Sequence, residues 1–291
     1  MALWSSVAQA ISAATGRAYA IRDLGPTTGG QVSHAYVISD GATPYFVKTQ
    51  GGDRGHVRAF AWEARSLRDI RAAGVPTPAV IATGQHGTRS FMVLEYIVPA
   101  PPPSAATIAE ALVTLHRTTA PALGADAPGW GGFEALDNTP SVQWAQFWCQ
   151  RRFIARLSSR GAQPAWAAER ARLEALLPAI GEGLAAHQPT PTLLHGDLQS
   201  PNWLGRPDGS VVFIDAAVWF GDPDVDLAAL SLGPPAARAA LDAYVGQNPR
   251  PAGFAWRLAV YRLWYLLLYN PPDVQSQLAE AIARVAQGAG E

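Results

Sequence analysis

The sequence predicts an α+β chain of two parts: a small antiparallel β lobe with one key helix over residues 1–97, then a larger, mainly helical lobe over 98–291. Strand-period patterns fill the segment before "VPAPPPS", and a single helical stretch interrupts them. After that Pro-rich break, helical spacing dominates to the end of the chain. A length of 291 residues with 48% hydrophobic residues supplies a core for one large domain or two modest lobes.

The elements follow in order. "MALWSSVAQAISAATG" reads as an amphipathic helix on Leu3, Trp4, Val7 and Ile11, closed by Gly16. "HAYVISDGATPYFVKTQ" is a pair of strands around a glycine-containing turn. Phe60, Glu63, Leu67 and Ile70 then recur at 3-4-3 spacing, a helix that Gly74 and Pro76 end. "AVIATG" and "SFMVLEYI" form another strand pair. Beyond the break, Ser104 caps a helix carrying Ile108, Leu112 and Leu115. Residues 121–140 read as a loop or flap, and helices are expected at about 142–158 and 164–186. "TLL" and "SVVFID" are short apolar strands, and from about residue 223 the pattern is helical.

Composition excludes several classes. A net charge of −1 without a basic stripe argues against a nucleic-acid partner. The lone cysteine, Cys149, forms no internal disulfide and reads as a buried thiol, so a reducing, cytoplasmic setting is expected. The N-terminal stretch lacks the basic and apolar regions of a leader. "LAVYRLWYLLLYN" contains Arg262 and falls short of the ~20 residues a membrane span needs, so it reads as a core helix. The histidines show no zinc spacing, and no G-x-S-x-G elbow is present. "GDPDVDLAAL" offers Asp222, Asp224 and Asp226 but lacks the central glycine and closing glutamate of a calcium loop. Its expected work is structural: Asp222 or Asp224 caps a helix, and Asp226 braces a neighbouring loop. Oligomeric state stays open.

One constellation carries chemistry. Lys48 shares a strand face with Phe46, and Glu63 lies on the core-facing stripe of the next helix, where a carboxylate needs a cation. Either alone is an ordinary solvated charge; as a strand–helix pair they match the ion pair that places nucleotide phosphates in kinases. His195, Gly196, Asp197 and Asn202 give H-G-D-x-x-x-x-N, the spacing of the kinase catalytic loop H-R-D-x-x-x-x-N. In those roles Asp197 accepts the proton of an attacking hydroxyl, while Asn202 and Asp215, at the end of "VVFID", hold Mg²⁺ for bound ATP. Gly29 and Gly30 in "TTGGQVSHAY" let backbone N–H groups approach phosphate, although alone they would be a plain turn.

The stretches "FVKT", "FAWEARSLRDI", "VLEYI", "LLHGDLQSPN", "FIDAAVWFGDPDVDLAAL" and "RLAVYRLWYLLLYN" resemble the fructosamine kinase family, in the aminoglycoside-phosphotransferase-like branch of the protein-kinase-like fold. The resemblance implies ATP-dependent phosphorylation of a sugar hydroxyl on a ketosamine (a fructosamine or ribulosamine), which makes the adduct labile and repairs glycated amines or proteins. It sets Glu95 and Ile97 where hinge backbone meets adenine, and Asp197 at the acceptor hydroxyl. Gln199 stands where the family has a substrate-stacking tryptophan, and Trp203 or Trp219 is the candidate replacement. Gln31 stands where the Gly-rich loop often has Cys or Ser, so no redox switch is expected there. Gly196 replaces the kinase arginine that pairs with a phosphorylated loop, so no phospho-activation is expected. An aminoglycoside or other hydroxylated-amine phosphotransferase would use the same residues. A kinase-like protein that only binds nucleotide would more naturally lack Lys48, Asp197 or Asp215.

Overall fold

The alternating segments of the first lobe build one antiparallel sheet, in the order β1-β2-β3-β5-β4. The computed structural model describes residues 2–27, 33–51, 54–131, 134–161, 167–199, 202–269 and 273–288. It opens with α1 (Ala2–Thr15), β1 (Asp23–Thr27), β2 (His34–Ser39) and β3 (Pro44–Gly51). These are followed by α2 (Arg54–Ala72), β4 (Val80–His86) and β5 (Arg89–Glu95). Pro26 is tolerated because β1 is an edge strand. Alternation gives the sheet two working faces. Ile38, Val47, Phe91 and Val93 pack on Leu3, Val7 and Ile11 of α1, so the next residue after Val47, Lys48, points to the other side. α2 packs on β4 and β5 and buries Phe60, Leu67 and Ile70. It stops where expected: Gly74 has φ +91°, and the Val75 N–H reaches back to Ile70 O at 3.2 Å.

The chain then forms α3 (Ala105–His116), β6 (Gly129–Gly131), β7 (Glu134–Leu136) and α4 (Trp144–Gln146). A π-helical stretch, Phe147–Ile154, joins α4 to α5 (Ala155–Gly161). Next come α6 (Ala167–Ala175), α7 (Leu177–Ala185), β8 (Thr192–Leu194), β9 (Trp203–Gly205), β10 (Val211–Phe213) and β11 (Trp219–Gly221). α8 (Asp224–Ser231), α9 (Pro235–Gln247), α10 (Phe254–Tyr269) and α11 (Val274–Ala286) complete it. Ser104 does cap α3, its Oγ accepting from Thr107 N at 3.1 Å. The expected single helix over 164–186 is broken between α6 and α7, where Pro178 in the first turn of α7 cannot supply the N–H that continuity requires. Short strands β6 and β7 occur where the sequence read as loop. α10 is buried nearly all round, through Trp256, Val260, Tyr261, Trp264, Tyr265 and Leu267. Among the described residues, no helix is long and apolar enough to cross a membrane.

Chain compactness divides the protein into two units. One comprises Met1–Pro103, Gly129–Ala135 and Pro201–Val218; the other comprises Ser104–Pro128, Leu136–Ser200 and Trp219–Glu291. A single cut near residue 97 therefore captures the opening of the first unit but not the β9–β10 hairpin. That hairpin is tied to the first unit by Phe213 N–H donating to Pro76 O at 2.9 Å and by Arg206 Nη2 on Glu95 Oε1 at 3.0 Å. It also passes so close to Pro101 O that a Cβ on Gly205 would lie 2.1 Å from it.

Candidate active site

The first unit gathers Lys48, Glu63 and Asp215. Lys48 Nζ lies 2.6 Å from Glu63 Oε1 and 2.6 Å from Asp215 Oδ1. The lysine side chain is 7% exposed, against 17% for Glu63 and 25% for Asp215. β3 aims the lysine at α2 and the β9–β10 hairpin returns the aspartate. Burial pushes the ammonium down, but Asp215 and Glu63 outweigh it, and Lys48 stays protonated above its ordinary value. Burial is also the largest influence on Glu63 and raises its carboxyl to about 7, against the lowering effect of Lys48; the charge of Asp215 adds to the rise.

Asn202 and Asp215 flank paired strands of one hairpin. β9 and β10 are in register at Trp203 and Phe213, and Ile214 N–H donates to Asn202 O at 3.1 Å. Asp215 has φ +57°, and among the described residues every other positive-φ position is glycine. The pair offers hard oxygen donors on neighbouring backbone, suited to Mg²⁺. Glu95 ends β5 with its N–H on Ala79 O at 2.8 Å, and its carboxylate holds Arg206 and accepts from Ala79 N at 2.9 Å. Ile97 is half-buried just beyond that strand. Gly29, Gly30 and Gln31 lie outside the described residues.

The second unit carries the H-G-D loop after β8. Asp226 is fully buried, and its carboxylate accepts from His195 N at 2.7 Å and Gly196 N at 3.0 Å. Gly196 takes φ +79°, which lets successive N–H groups converge on one carboxylate. His116 Nε2 approaches Asp226 at 3.3 Å while its Nδ1 meets the Tyr244 hydroxyl at 2.9 Å. Asp197 N–H donates to His195 Nδ1 at 3.3 Å, which holds the loop to its own histidine. Gln199 Nε2 donates to Asp197 Oδ1 at 3.3 Å. Tyr265, pushed up by burial first and then by the charges of Asp226 and Asp197, remains a neutral phenol.

The sequence reading gave Asp226 its brace but missed His116, which has no motif around it beyond its place at the end of α3. The N-cap position of α8 is Pro223 rather than Asp222 or Asp224, and the two aspartates enter side-chain networks instead. Asp222 accepts from Asp224 N at 3.0 Å, His187 Nε2 at 2.7 Å and the Tyr261 hydroxyl at 2.7 Å, while Asp224 holds Arg250 at 2.6 Å and Arg257 at 2.8 Å. His187, Asp222 and Asp224 lie close enough to share a metal, but those arginines already supply the positive charge.

The substrate-platform expectation for Trp219 needs correction. Its ring is 1% exposed, stacked with Phe147 at 5.5 Å and Trp144 at 6.3 Å, with the Arg152 guanidinium 4.2 Å from its centre. A ring so enclosed packs a core rather than a sugar. Trp203, on β9, is 8% exposed.

A family model described as "Fructosamine kinase" matches residues 3–273. The chain belongs to the fructosamine kinase family. It is 32% identical over 273 residues to "Probable ketoamine kinase YniA" of Escherichia coli (strain K12), covering 91% of this chain and 92% of that one. A solved structure from Thermobifida fusca, described as a "putative fructosamine-3-kinase", is 27% identical with a TM-score of 0.79, covering 97% of this chain and 99% of that one. A thermostable mutant of the aminoglycoside phosphotransferase APH(4)-Ia, solved with ADP and hygromycin B, shares the fold at 20% identity and a TM-score of 0.66, over 98% of this chain and all (100%) of that one. This member of the fructosamine kinase family thus has the α+β protein-kinase-like fold and is an ATP-dependent phosphotransferase with an alcohol group as acceptor. The family match does not favour the aminoglycoside or non-catalytic readings.

Proposed function

We propose that this kinase transfers the γ-phosphoryl group of ATP to a sugar hydroxyl of a ketosamine, as a deglycation step on a small glycated amine or a glycated protein. The observation that carries the mechanism is the Lys48 ammonium between Glu63 and Asp215, at 2.6 Å from each. Lys48, oriented by Glu63, meets the nucleotide phosphates. Asp197 accepts the proton of the acceptor hydroxyl as its oxygen attacks. Asn202 and Asp215 would hold Mg²⁺, whose charge offsets that of the phosphates. Since the Glu95 N–H is engaged by Ala79 O, any adenine contact by Glu95 runs through its carbonyl, with the Ile97 backbone beside it. Phosphoryl transfer needs positioning and charge neutralisation more than covalent chemistry, which the ion pairs of the first unit and the braced loop of the second each suit.

Gln199 is where acceptor choice is set in this reading. An amide that already donates to Asp197 can exchange that bond for a sugar hydroxyl, whereas a ring can only stack. The test is magnesium-dependent ATP turnover on ribulose-lysine and fructose-lysine beside an aminoglycoside panel. Turnover on a ketosamine supports the reading; turnover on aminoglycosides alone overturns it.

A further inference from the structure

Ser66 sits in the middle of α2 and is fully buried, with Leu67 and Ile70 beside it. A serine hydroxyl inside a helix usually turns to its own helix backbone, and burying it needs a partner. Here Ser66 Oγ accepts a hydrogen bond at 3.1 Å from Val218 N, 152 residues along the chain and just past Asp215. Ser66 follows Glu63 by one helical turn, so both lie on the same side of α2. One helix face therefore makes contact with both halves of the triad, the lysine through Glu63 and the aspartate's outgoing chain through Ser66.

The aspartate needs such a hold. Its φ of +57° is an uncommon conformation for a residue with a Cβ. On the incoming side the chain is pinned by Phe213 N on Pro76 O at 2.9 Å and Ile214 N on Asn202 O at 3.1 Å. On the outgoing side Ser66 catches the amide of Val218, a residue 3% exposed. We propose that Ser66 is a positioning residue for Asp215: by fixing the chain after the turn it keeps the carboxylate aimed for the metal that accompanies ATP. This rests on the metal role given to Asp215 above.

The test is the Mg²⁺ dependence of binding of a non-hydrolysable ATP analogue by calorimetry, whose midpoint moves as the activity midpoint does, beside the Mg²⁺ activation curve of the full-length enzyme at saturating ATP and acceptor. Ser66→Ala raises the Mg²⁺ concentration for half-maximal activity about tenfold, because the buried Val218 amide loses its acceptor and the turn relaxes. The maximal rate at high Mg²⁺ and the acceptor KM stay within about threefold of wild type on the same reasoning. Ser66→Thr, which keeps the hydroxyl, restores the wild-type curve. Ser66→Cys leaves no cavity and offers a weaker, slightly larger acceptor, and it shifts the curve like Ser66→Ala, so it carries the test where the alanine variant does not fold. A purely structural serine would lower the active fraction, and so the maximal rate, without moving the midpoint; that result overturns the inference. Asp215→Asn separates the layers. If it sharply raises the Mg²⁺ requirement while the Ser66 variants do not shift the midpoint, the inference fails and the function stands. If Asp215→Asn leaves Mg²⁺ dependence unchanged, the metal assignment falls and the inference with it.

Discussion

The two units hold their working residues in opposite ways. In the first, charged side chains hold one another: Lys48 is fixed by Glu63 and Asp215, and all are partly within reach of water. In the second, the backbone beneath the working side chain is held, by a fully buried Asp226 carboxylate that takes the His195 and Gly196 amides, while Asp197 itself accepts from Gln199 at 3.3 Å. Side-chain pairing suits groups that must trade partners when nucleotide and metal arrive. Backbone bracing suits a side chain that, in the proposed role, must meet an incoming hydroxyl at a fixed place. The contrast implies that damage in the first unit shows in nucleotide and metal use, and damage in the second shows in turnover.

The largest effect is expected at the braced loop's payload. Asp197→Asn lowers kcat by about 10³-fold, within the usual range for a lost general base, and leaves ATP affinity near wild type by calorimetry. A variant that keeps its turnover would remove Asp197 from the base role. Next is the brace. Asp226→Asn presents an N–H to one of the amides now bonded to the carboxylate, a buried mismatch of ~2 kcal/mol. It cuts kcat about tenfold or more at unchanged ATP affinity. Loss of ATP affinity instead would break the division between the units.

The side-chain site carries a pH signature. The Glu63 carboxyl is raised to about 7, so as pH falls through that value it takes up a proton and its hold on Lys48 weakens. Wild-type kcat/KM for ATP therefore declines toward acid. Glu63→Gln, which has nothing to titrate, shows a lower but flatter profile over the same range; a matching acid limb in both would assign the titration elsewhere. The smallest effect concerns Cys149. Burial pushes its thiol up to about 11, so iodoacetamide at pH 8 labels the folded protein far more slowly than the denatured protein. Because the thiol lies in the second unit, its labelling rate stays the same in Lys48→Ala.

The elements with strong periodicity were legible in the sequence: strands β2 to β5, α2 with its Gly74 stop, and the Ser104 cap. So was the Lys48–Glu63 pairing, because a carboxylate on an apolar stripe has few ways to be satisfied. What escaped has no local signal. The association of the β9–β10 hairpin with the first unit depends on contacts to Pro76, Glu95 and Pro101, far away in sequence. The approach of His116 to Asp226 joins residues 110 positions apart. Trp219 misled for the same reason: an aromatic next to an expected site reads alike whether it faces a ligand or, as here, Phe147 and Trp144.

That last cluster has a practical use. Trp144, Trp148, Trp219 and Trp264 lie within 6.3 Å of an aromatic neighbour, centre to centre, and all belong to the second unit. Rings so close couple their electronic transitions, so near-ultraviolet circular dichroism is a built-in optical reporter weighted to that unit. Set against a far-ultraviolet signal from the whole chain, it shows whether the units melt together or in turn, with no label added.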